Sequence, residues 1–223
     1  MVPLACKRGI LAAVAVTVSA TVLHAALPTS PDISGPTSFT GQLLIATPAM
    51  QGSGFEQAVI LIAQHNKDGA LGIVINRPLD ERPIANVLEA LGANTDGIKN
   101  NVRVFFGGPV SPEVAFAVHN ADYHLSDTVD IDGRVALTPA TEVLRDIGAG
   151  KGPGKSLIAF GYAGWGASQL DDELGRGDWF SVPEDPSLVF DDDRTKVWTD
   201  AMARHKTEWR GIRPNAALNP GHL

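Results

Sequence analysis

Two polar segments of the chain carry residue types that could bind a ligand. Asn76-Arg77-Pro78 places an amide and a cation after an apolar run, and strand ends are a frequent location for ligand-binding groups. Arg77 could bind a carboxylate or a phosphate through two parallel hydrogen bonds. The structural alternative is that Arg77 forms a salt bridge and Asn76 caps a turn.

The second segment, Gly161-Tyr-Ala-Gly-Trp-Gly166, lies between a predicted strand and a predicted helix. This order suits an anion, because glycine lets the backbone approach closely and a helix N-terminus attracts negative charge. The acidic run Asp171-Asp172-Glu173 follows at once and would repel a phosphate. The structural alternative is a tight turn in which the tryptophan packs. The residues that would contact a ligand are Tyr162, Gly164, Trp165 and Gly166.

Two further glycine-rich segments are weaker candidates. Gly107-Gly108-Pro109 separates two predicted strands, and we interpret it as a hairpin connection or as part of a ligand site at Gly107 and Gly108. Ala149–Ser156 fits a relaxed phosphate-binding loop, but a helix precedes it and a strand follows, which is the reverse of the required order. Pro153 also lacks an N–H donor. We therefore interpret Ala149–Ser156 as a helix-to-strand turn.

No set of residues has the spacing of a catalytic or metal centre. His119 and His124 are five residues apart, which fits neither face of a helix nor alternate positions of a strand. Ser168 lies in Gly166-Ala-Ser-Gln-Leu, which lacks the second glycine of a nucleophile elbow. Cys6 is the single cysteine, so a disulfide framework and a catalytic thiol are excluded from residues 7–223. The sequence assigns no catalytic residue, no metal and no cofactor.

Composition excludes some classes of protein. The 223 residues are 44% hydrophobic and 19% charged, which excludes wholesale disorder and suits one domain or two small ones. The 23 glycines and 15 prolines indicate many turns. A net charge of −7 disfavours binding to the phosphate backbone of nucleic acids, and no helix-turn-helix with a basic recognition helix is apparent.

The predicted strands and helices that position these segments follow one another without a strict strand-helix-strand order. Short apolar runs predict strands at 43–47, 58–63, 71–75, 102–106, 114–119, 156–161 and 179–182, the third ending where Pro78 stops the ladder. Apolar residues at helical spacing predict helices over 84–91, 138–147 and 167–174, the second with Thr138 as its N-cap. A last helix is predicted from Asp191 onward. Its buried face would consist of Trp198, Ala201, Met202 and His205. The pattern predicts a mixed α+β fold, a mixed sheet with helices on its faces.

The chain divides into three parts at sequence level. Residues 1–38 form an apolar leader and a linker rich in proline and glycine, residues 39–205 form the domain, and residues 206–223 form a flexible tail. Lys7 and Arg8 precede the uncharged run 10–23, the outline of an export signal, and the run is shorter than the roughly 20 residues of a membrane span. The alternative is a translation start assigned too far upstream.

With these segments assembled, the chain resembles the AlgH/YqgE family of bacterial proteins. The resemblance runs from Phe39 to about His205. Its most specific segments are the Asn-Arg-Pro end of Gly69–Pro78, Gly107–Val110 and Gly161–Gly166. The matching residues continue with Gln169-Leu170, Glu173-Leu174, Trp179 and Phe190-Asp191. It implies a bifurcated mixed sheet with a small barrel-like part and flanking helices. Family members begin close to the position of Phe39, which favours the cytoplasm over export for this chain.

The resemblance also bears on function, since family members are described as transcriptional regulators linked to alginate control but carry no established reaction. We therefore expect a non-enzymatic regulatory protein that acts through a small ligand or a protein partner, with the three segments forming one cleft. The alternatives are a hydrolase or transferase acting on a phosphorylated metabolite, with Arg77 and the Gly164–Gly166 backbone holding the anion, and a direct DNA-binding regulator, which the net charge disfavours.

Overall fold

The computed structural model describes residues 38–95 and 98–212, with side chains to residue 207. Most of the predicted leader and residues 213–223 of the predicted tail lie outside this range. The strands are β1 Gln42–Ala46, β2 Val59–Asn66, β3 Gly69–Val74, β4 Pro78–Pro83, β5 Asn101–Phe106, β6 Val110–Asn120, β7 Val129–Asp130, β8 Val135–Pro139, β9 Ser156–Gly166 and β10 Trp179–Pro183. The α-helices are α1 Ile84–Ala90, α2 Ala140–Gly148, α3 Gln169–Arg176, α4 Pro186–Val189 and α5 Val197–Ile212.

The sheet divides along β9, one of its two 11-residue strands. The strand order is β10-β1-β2-β3-β9-β6-β8-β7, and these neighbours pair antiparallel. The first half of β9 also pairs in parallel with β5, which carries β4 on its other side. The sheet curls into a half-barrel with helices around it, so the predicted mixed α+β fold is confirmed.

Three hydrophobic clusters hold the helices against the sheet. The buried faces of α1 and α2 pack on β5, β6 and β9. Helix α5 buries Val197, Ala201 and Met202 against the face of β1 and β2. Leu170 of α3 packs with Trp165 and Trp179. These positions recur every three or four residues in the helices and on alternate residues in the strands, which is why the apolar runs predicted most elements.

Strand β4 was not predicted from the sequence. The ladder of β3 ends at Val74, but a new strand begins at Pro78 and pairs with β5. All six residues of β4 are exposed. A proline at the first residue of an edge strand loses no ladder hydrogen bond, so Pro78 begins β4 instead of ending the pairing.

The predicted start of α2 is wrong at its cap. Thr138 belongs to β8 and is 1% exposed, and α2 begins after Pro139 with no side-chain cap. The Thr138 hydroxyl lies 2.8 Å from Nε2 of buried His119, whose Nδ1 lies 2.9 Å from the carbonyl of Asn120. A carbonyl only accepts, so Nδ1 carries the proton and Nε2 accepts from Thr138. Burial lowers the pKa of His119, which keeps the imidazole neutral.

Two boundaries near the C-terminus also differ from the predictions. The acidic residues Asp191, Asp192 and Asp193 precede the last helix, which begins only at Val197. The short helix α4 was missed; Asp185 caps it by accepting a hydrogen bond from the Ser187 N–H at 2.7 Å. The predicted buried face of α5 holds, since Trp198 donates its indole N–H to the Ala46 carbonyl at 2.8 Å.

Candidate functional site

A pocket of about 490 Å³ opens between the β2–β3 hairpin and the end of β9. Four of the eight predicted ligand-binding residues line it, and the other four, Asn76, Arg77, Gly107 and Gly108, lie outside its lining. The complete lining consists of Gln64, Asn66, Asp68, Gly69, Ala70, Leu71, Val110, Tyr162, Gly164, Trp165 and Gly166.

The register of three strands explains the shape of the pocket. Leu71 pairs with both Gln64 and Gly164, and Gly69 pairs with both Asn66 and Gly166. Residues directly opposite one another across strands share a face of the sheet. The three glycines therefore contribute no side chain to the floor, where Leu71 lies between Gln64 and Gly164. The hairpin residues stand on one side and Tyr162 with Val110 on the other.

Glycines 164 and 166 differ from the other glycines of this region. A Cβ on Gly69 would lie 2.1 Å from the Trp165 carbonyl oxygen, so that position must be glycine. At Gly164 the nearest atom, Cε2 of Tyr162, would be 3.4 Å away, and at Gly166 it would be 3.9 Å away. Neither residue has a positive φ. Glycine inside a strand costs about 0.5–1 kcal/mol relative to alanine, and it often marks the close approach of a ligand or of another backbone.

The polar side chains of the pocket include two amides, one carboxylate and the phenol of Tyr162. The Asn66 side-chain oxygen accepts a hydrogen bond from the Asp68 N–H at 2.8 Å, and Asp68 pairs with Lys67 at 2.9 Å. Next to Asn66, His65 lies 3.4 Å from a second carboxylate, that of Asp171. The lining within the described part of the chain contains no arginine, lysine, histidine, serine or cysteine. This arrangement suits an uncharged or cationic group.

Trp165 lines the pocket and also packs beneath it. Its indole N–H and that of Trp179 both donate to Oε2 of Glu173, each at 2.8 Å, and Gln169 donates to Oε1 at 2.9 Å. Burial alone would raise the pKa of Glu173, but these three hydrogen bonds outweigh it and hold the pKa below its usual value. At the sequence level Glu173 was only part of an acidic run expected to repel a phosphate, although its spacing of four residues from Gln169 was a visible signal.

The glycine-rich segment 161–166 is not a turn, because β9 continues through it to Gly166. Strand β9 also lies between β5 and β6, so the predicted hairpin at Gly107-Gly108 is wrong. The chain crosses over β9 instead, and Gly107 N–H donates to the Phe160 carbonyl at 2.7 Å. A Cβ on Gly108 would lie 2.0 Å from the Tyr162 carbonyl carbon, and one on Gly161 would lie 2.3 Å from the Gly108 oxygen. These glycines allow two backbones to cross.

Asn76 and Arg77 hold the loop before β2. The Asn76 side chain accepts from the Val59 N–H at 2.9 Å and donates to the Gln57 carbonyl at 2.8 Å. Arg77 donates to the carbonyls of Gly54 and Glu56, at 2.5 and 3.0 Å. Burial lowers the pKa of Arg77, against the opposing charge of Glu56. Its guanidinium therefore bridges backbone carbonyls, a partner set that neither the ligand nor the salt-bridge interpretation foresaw.

A carboxyl pair outside the pocket was also missed. The Glu184 side chain is fully buried, and burial together with the neighbouring Asp132 carboxyl raises the pKa of Glu184 to about 8. The Arg134 guanidinium lies 2.7 Å from Oε1 of Glu184, which by itself would lower that pKa. Arg134 is 55% exposed, however, so solvent screens much of its charge.

Neither a cluster of metal ligands nor a membrane-spanning helix is present in the described residues. Residues 38–95 and 98–212 contain no group of three histidine, cysteine or acidic side chains arranged to hold a metal ion. Over the same ranges no helix has the length and hydropathy needed to cross a membrane.

The fold is that of a mixed α+β protein whose sheet divides along β9, with glycines where the chain crosses that strand. The AlgH-like family model (DUF179) matches residues 43–210, and the chain belongs to this family. A UPF0301 protein of Rhodospirillum rubrum is 42% identical over 177 residues, covering 79% of this chain and 92% of the relative. A UPF0301 protein of Methylococcus capsulatus is 37% identical over 163 residues, covering 73% and 89%.

Solved structures agree with this assignment. The solution structure of the AlgH protein of Pseudomonas aeruginosa superposes with a TM-score of 0.66 at 35% identity, covering 85% of this chain and 98% of that one. A crystal structure from Corynebacterium diphtheriae has a TM-score of 0.59 at 23% identity and covers 76% and 88%, which supports the fold alone.

Proposed function

We propose that this protein is a non-enzymatic regulatory protein that acts by binding a small ligand or a protein partner in the pocket between the β2–β3 hairpin and β9. One observation carries the proposal: Gly164 and Gly166 lie on the pocket floor, and neither steric contact nor backbone conformation requires glycine there. Beside Leu71, these two glycines give a ligand direct access to the backbone of β9.

The chemistry of the lining selects the class of ligand. Asp68 and the amides of Gln64 and Asn66 offer hydrogen-bond acceptors and donors, and Tyr162 offers an aromatic wall. Because the described lining contains no cation, only Lys67, which lies outside the lining, would offset the repulsion between a phosphate and the Asp68 carboxylate. We therefore expect an uncharged or cationic ligand with a flat face that can lie on the glycine floor.

A thermal-shift screen of the full chain tests this proposal. The compounds are nucleobases, amino acids, amines and aromatic metabolites, with phosphorylated metabolites as the comparison set. A ligand at a hundred times its dissociation constant adds about 2.7 kcal/mol, which corresponds to a rise in Tm of about 5–10 °C at this chain length. We expect the hits among the uncharged and cationic compounds.

The variant Gly166→Val identifies the site. Its side chain adds three carbon atoms to the floor at a position where even the nearest atom lies 3.9 Å from the Cβ. Gly175→Ala, on helix α3 with open space around it, is the matched control because it also replaces a glycine without strain. We expect Gly166→Val to abolish the ligand-induced shift and Gly175→Ala to retain it. Equal shifts in all three proteins would contradict the proposal.

A further inference from the structure

One edge of β9 is unpaired where it borders the pocket. Residues 163–166 pair with β3 on one side, through Gly72, Leu71, Ala70 and Gly69. On the other side, the last pair among the described residues joins Tyr162 to Val110 of β6. Strand β6 begins at Val110, so no described strand continues the sheet beside Gly164 and Gly166. Both glycines are exposed.

The direction of the backbone groups at this edge follows from two contacts. The Gly166 N–H donates to the Gln169 side chain at 3.1 Å, so it points away from β3. The Trp165 carbonyl oxygen lies beside Gly69, so it points toward β3. In an antiparallel strand, the N–H and C=O of alternate residues point to the same side. The N–H and C=O of Gly164 therefore point, with those of Gly166, toward the open edge.

We propose that this edge binds an extended peptide segment of a protein partner, which adds a strand to β9 at Gly164–Gly166 and places a lysine or arginine side chain beside the pocket. This inference rests on the proposed function, and it specifies that the partner binds as an extended, basic peptide segment. Strand addition takes affinity from main-chain hydrogen bonds and specificity from neighbouring side-chain pockets. The Gln169 amide would yield its place on the Gly166 N–H to a carbonyl of the incoming strand.

The charges around the edge favour a basic segment. Asp68 is 76% exposed in the pocket lining, and Asp171, 51% exposed, follows within one turn of the start of α3. Asp172 is also exposed on the same helix. Lys67, which pairs with Asp68, offsets one of these charges. An incoming lysine or arginine would therefore meet a net negative surface.

Amide hydrogen exchange in the free protein tests the geometry. In ¹⁵N-labelled full chain, the amides of Ala163 and Trp165 point into the ladder with β3, and we expect them to exchange at least a hundredfold more slowly than that of Gly164. A Gly164 amide as protected as its two neighbours would overturn the proposal, whatever ligand occupies the pocket.

Peptide selection tests the binding itself. Linear seven-residue random peptides displayed on phage are selected against the full chain, and the dissociation constant of the most enriched peptide is measured by fluorescence anisotropy. Gly164→Pro removes the edge N–H, and Gly164→Ala retains it while adding a methyl group to the pocket floor. We expect lysine- or arginine-containing peptides whose affinity falls about tenfold or more in Gly164→Pro and less than about threefold in Gly164→Ala.

The outcomes separate this inference from the proposed function. A selection that enriches no peptide overturns the inference, and so does a selected peptide that binds both variants equally. Either result leaves the pocket intact if small molecules still lose their thermal shift in Gly166→Val. Unchanged exchange of the Ala163 and Trp165 amides in Gly164→Pro shows that the strand remains folded, so a loss of binding then reports on the missing N–H.

Discussion

Replacing Glu173 with alanine should destabilise the protein far more than its place on a short helix suggests. The substitution leaves the indole N–H groups of Trp165 and Trp179 without their shared acceptor, at side chains that are 8% and 2% exposed. A buried donor left unsatisfied costs about 1–3 kcal/mol. Trp165 borders the pocket, where water can replace part of the loss, so we expect a total of about 3 kcal/mol.

The assay is urea denaturation followed by tryptophan emission, with a thermal melt as the second measurement. A loss of about 3 kcal/mol corresponds to a fall in Tm of about 6–12 °C for a chain of this length. Asp172→Ala, at an exposed position of the same helix, is the control and should change stability by less than about 0.5 kcal/mol. If Glu173→Ala is as stable as that control, the two indole hydrogen bonds do not hold α3 to the sheet.

The pH dependence of the same contact has a definite sign. The folded-state pKa of Glu173 lies below the unfolded value of 4.5, so its contribution is fully present above pH 4.5 and is lost as the pH falls through the folded-state pKa. The stability difference between the wild type and Glu173→Gln, which removes the charge, should therefore shrink on acidification below pH 4.5. A difference that stays constant as the pH falls to about 3 would show that the charge contributes nothing.

Three further predictions concern residues outside the pocket. Gly108→Ala should lower the free energy of unfolding by about 4 kcal/mol or more, because its Cβ would overlap the Tyr162 backbone. Gly133→Ala, also at positive φ but in open space, should lower it by about 1 kcal/mol. Thermal melts of the two variants test whether the backbones cross at Gly108. Arg77→Lys keeps the charge but loses the two-carbonyl bridge, and we expect about 1–3 kcal/mol less stability in urea. Because the pKa of Glu184 is raised to about 8, wild-type stability should fall as the pH rises from 4.5 toward 8, and urea titrations should show no such fall from this site in Glu184→Gln.

The buried strands could be predicted from sequence because burial on both faces leaves an apolar run. Val59–Ala63 and Leu157–Ala159 are both buried throughout, and both were found. Strand β4 has no such signal, since all six of its residues are exposed and three of them are charged. The two-residue strand β7 is too short to produce any period. A run of apolar residues therefore indicates that a strand is buried, and it gives no signal for a strand that is exposed.

The crossing of β5–β6 over β9 could not be predicted from local sequence. Gly107-Gly108 between two strand patterns is typical of a hairpin, and only the insertion of β9 between the strands, from fifty residues later in the chain, changes its role. The partners of Arg77 were hidden for the same reason, because the carbonyls of Gly54 and Glu56 reach it through the fold.

Four of the eleven residues that line the candidate site had a sequence signal. The glycines of β9 marked Tyr162, Gly164, Trp165 and Gly166, which line the pocket. The hairpin side was missed because Asp68-Gly69 is a common turn pair, and the sequence does not show that Gln64 and Asn66 stand opposite the glycines. Strand register decides this, and register depends on the whole sheet.

The measurement that would decide the role of the pocket is chemical-shift mapping with the first compound that raises the Tm in the thermal screen. In ¹⁵N-labelled full chain, we expect the perturbed amides to cluster at Leu71, Tyr162, Gly164 and Gly166, and the perturbations to disappear in Gly166→Val. Perturbations that cluster instead at Asn76 and Arg77, and persist in Gly166→Val, would place the binding site elsewhere and contradict the proposed function.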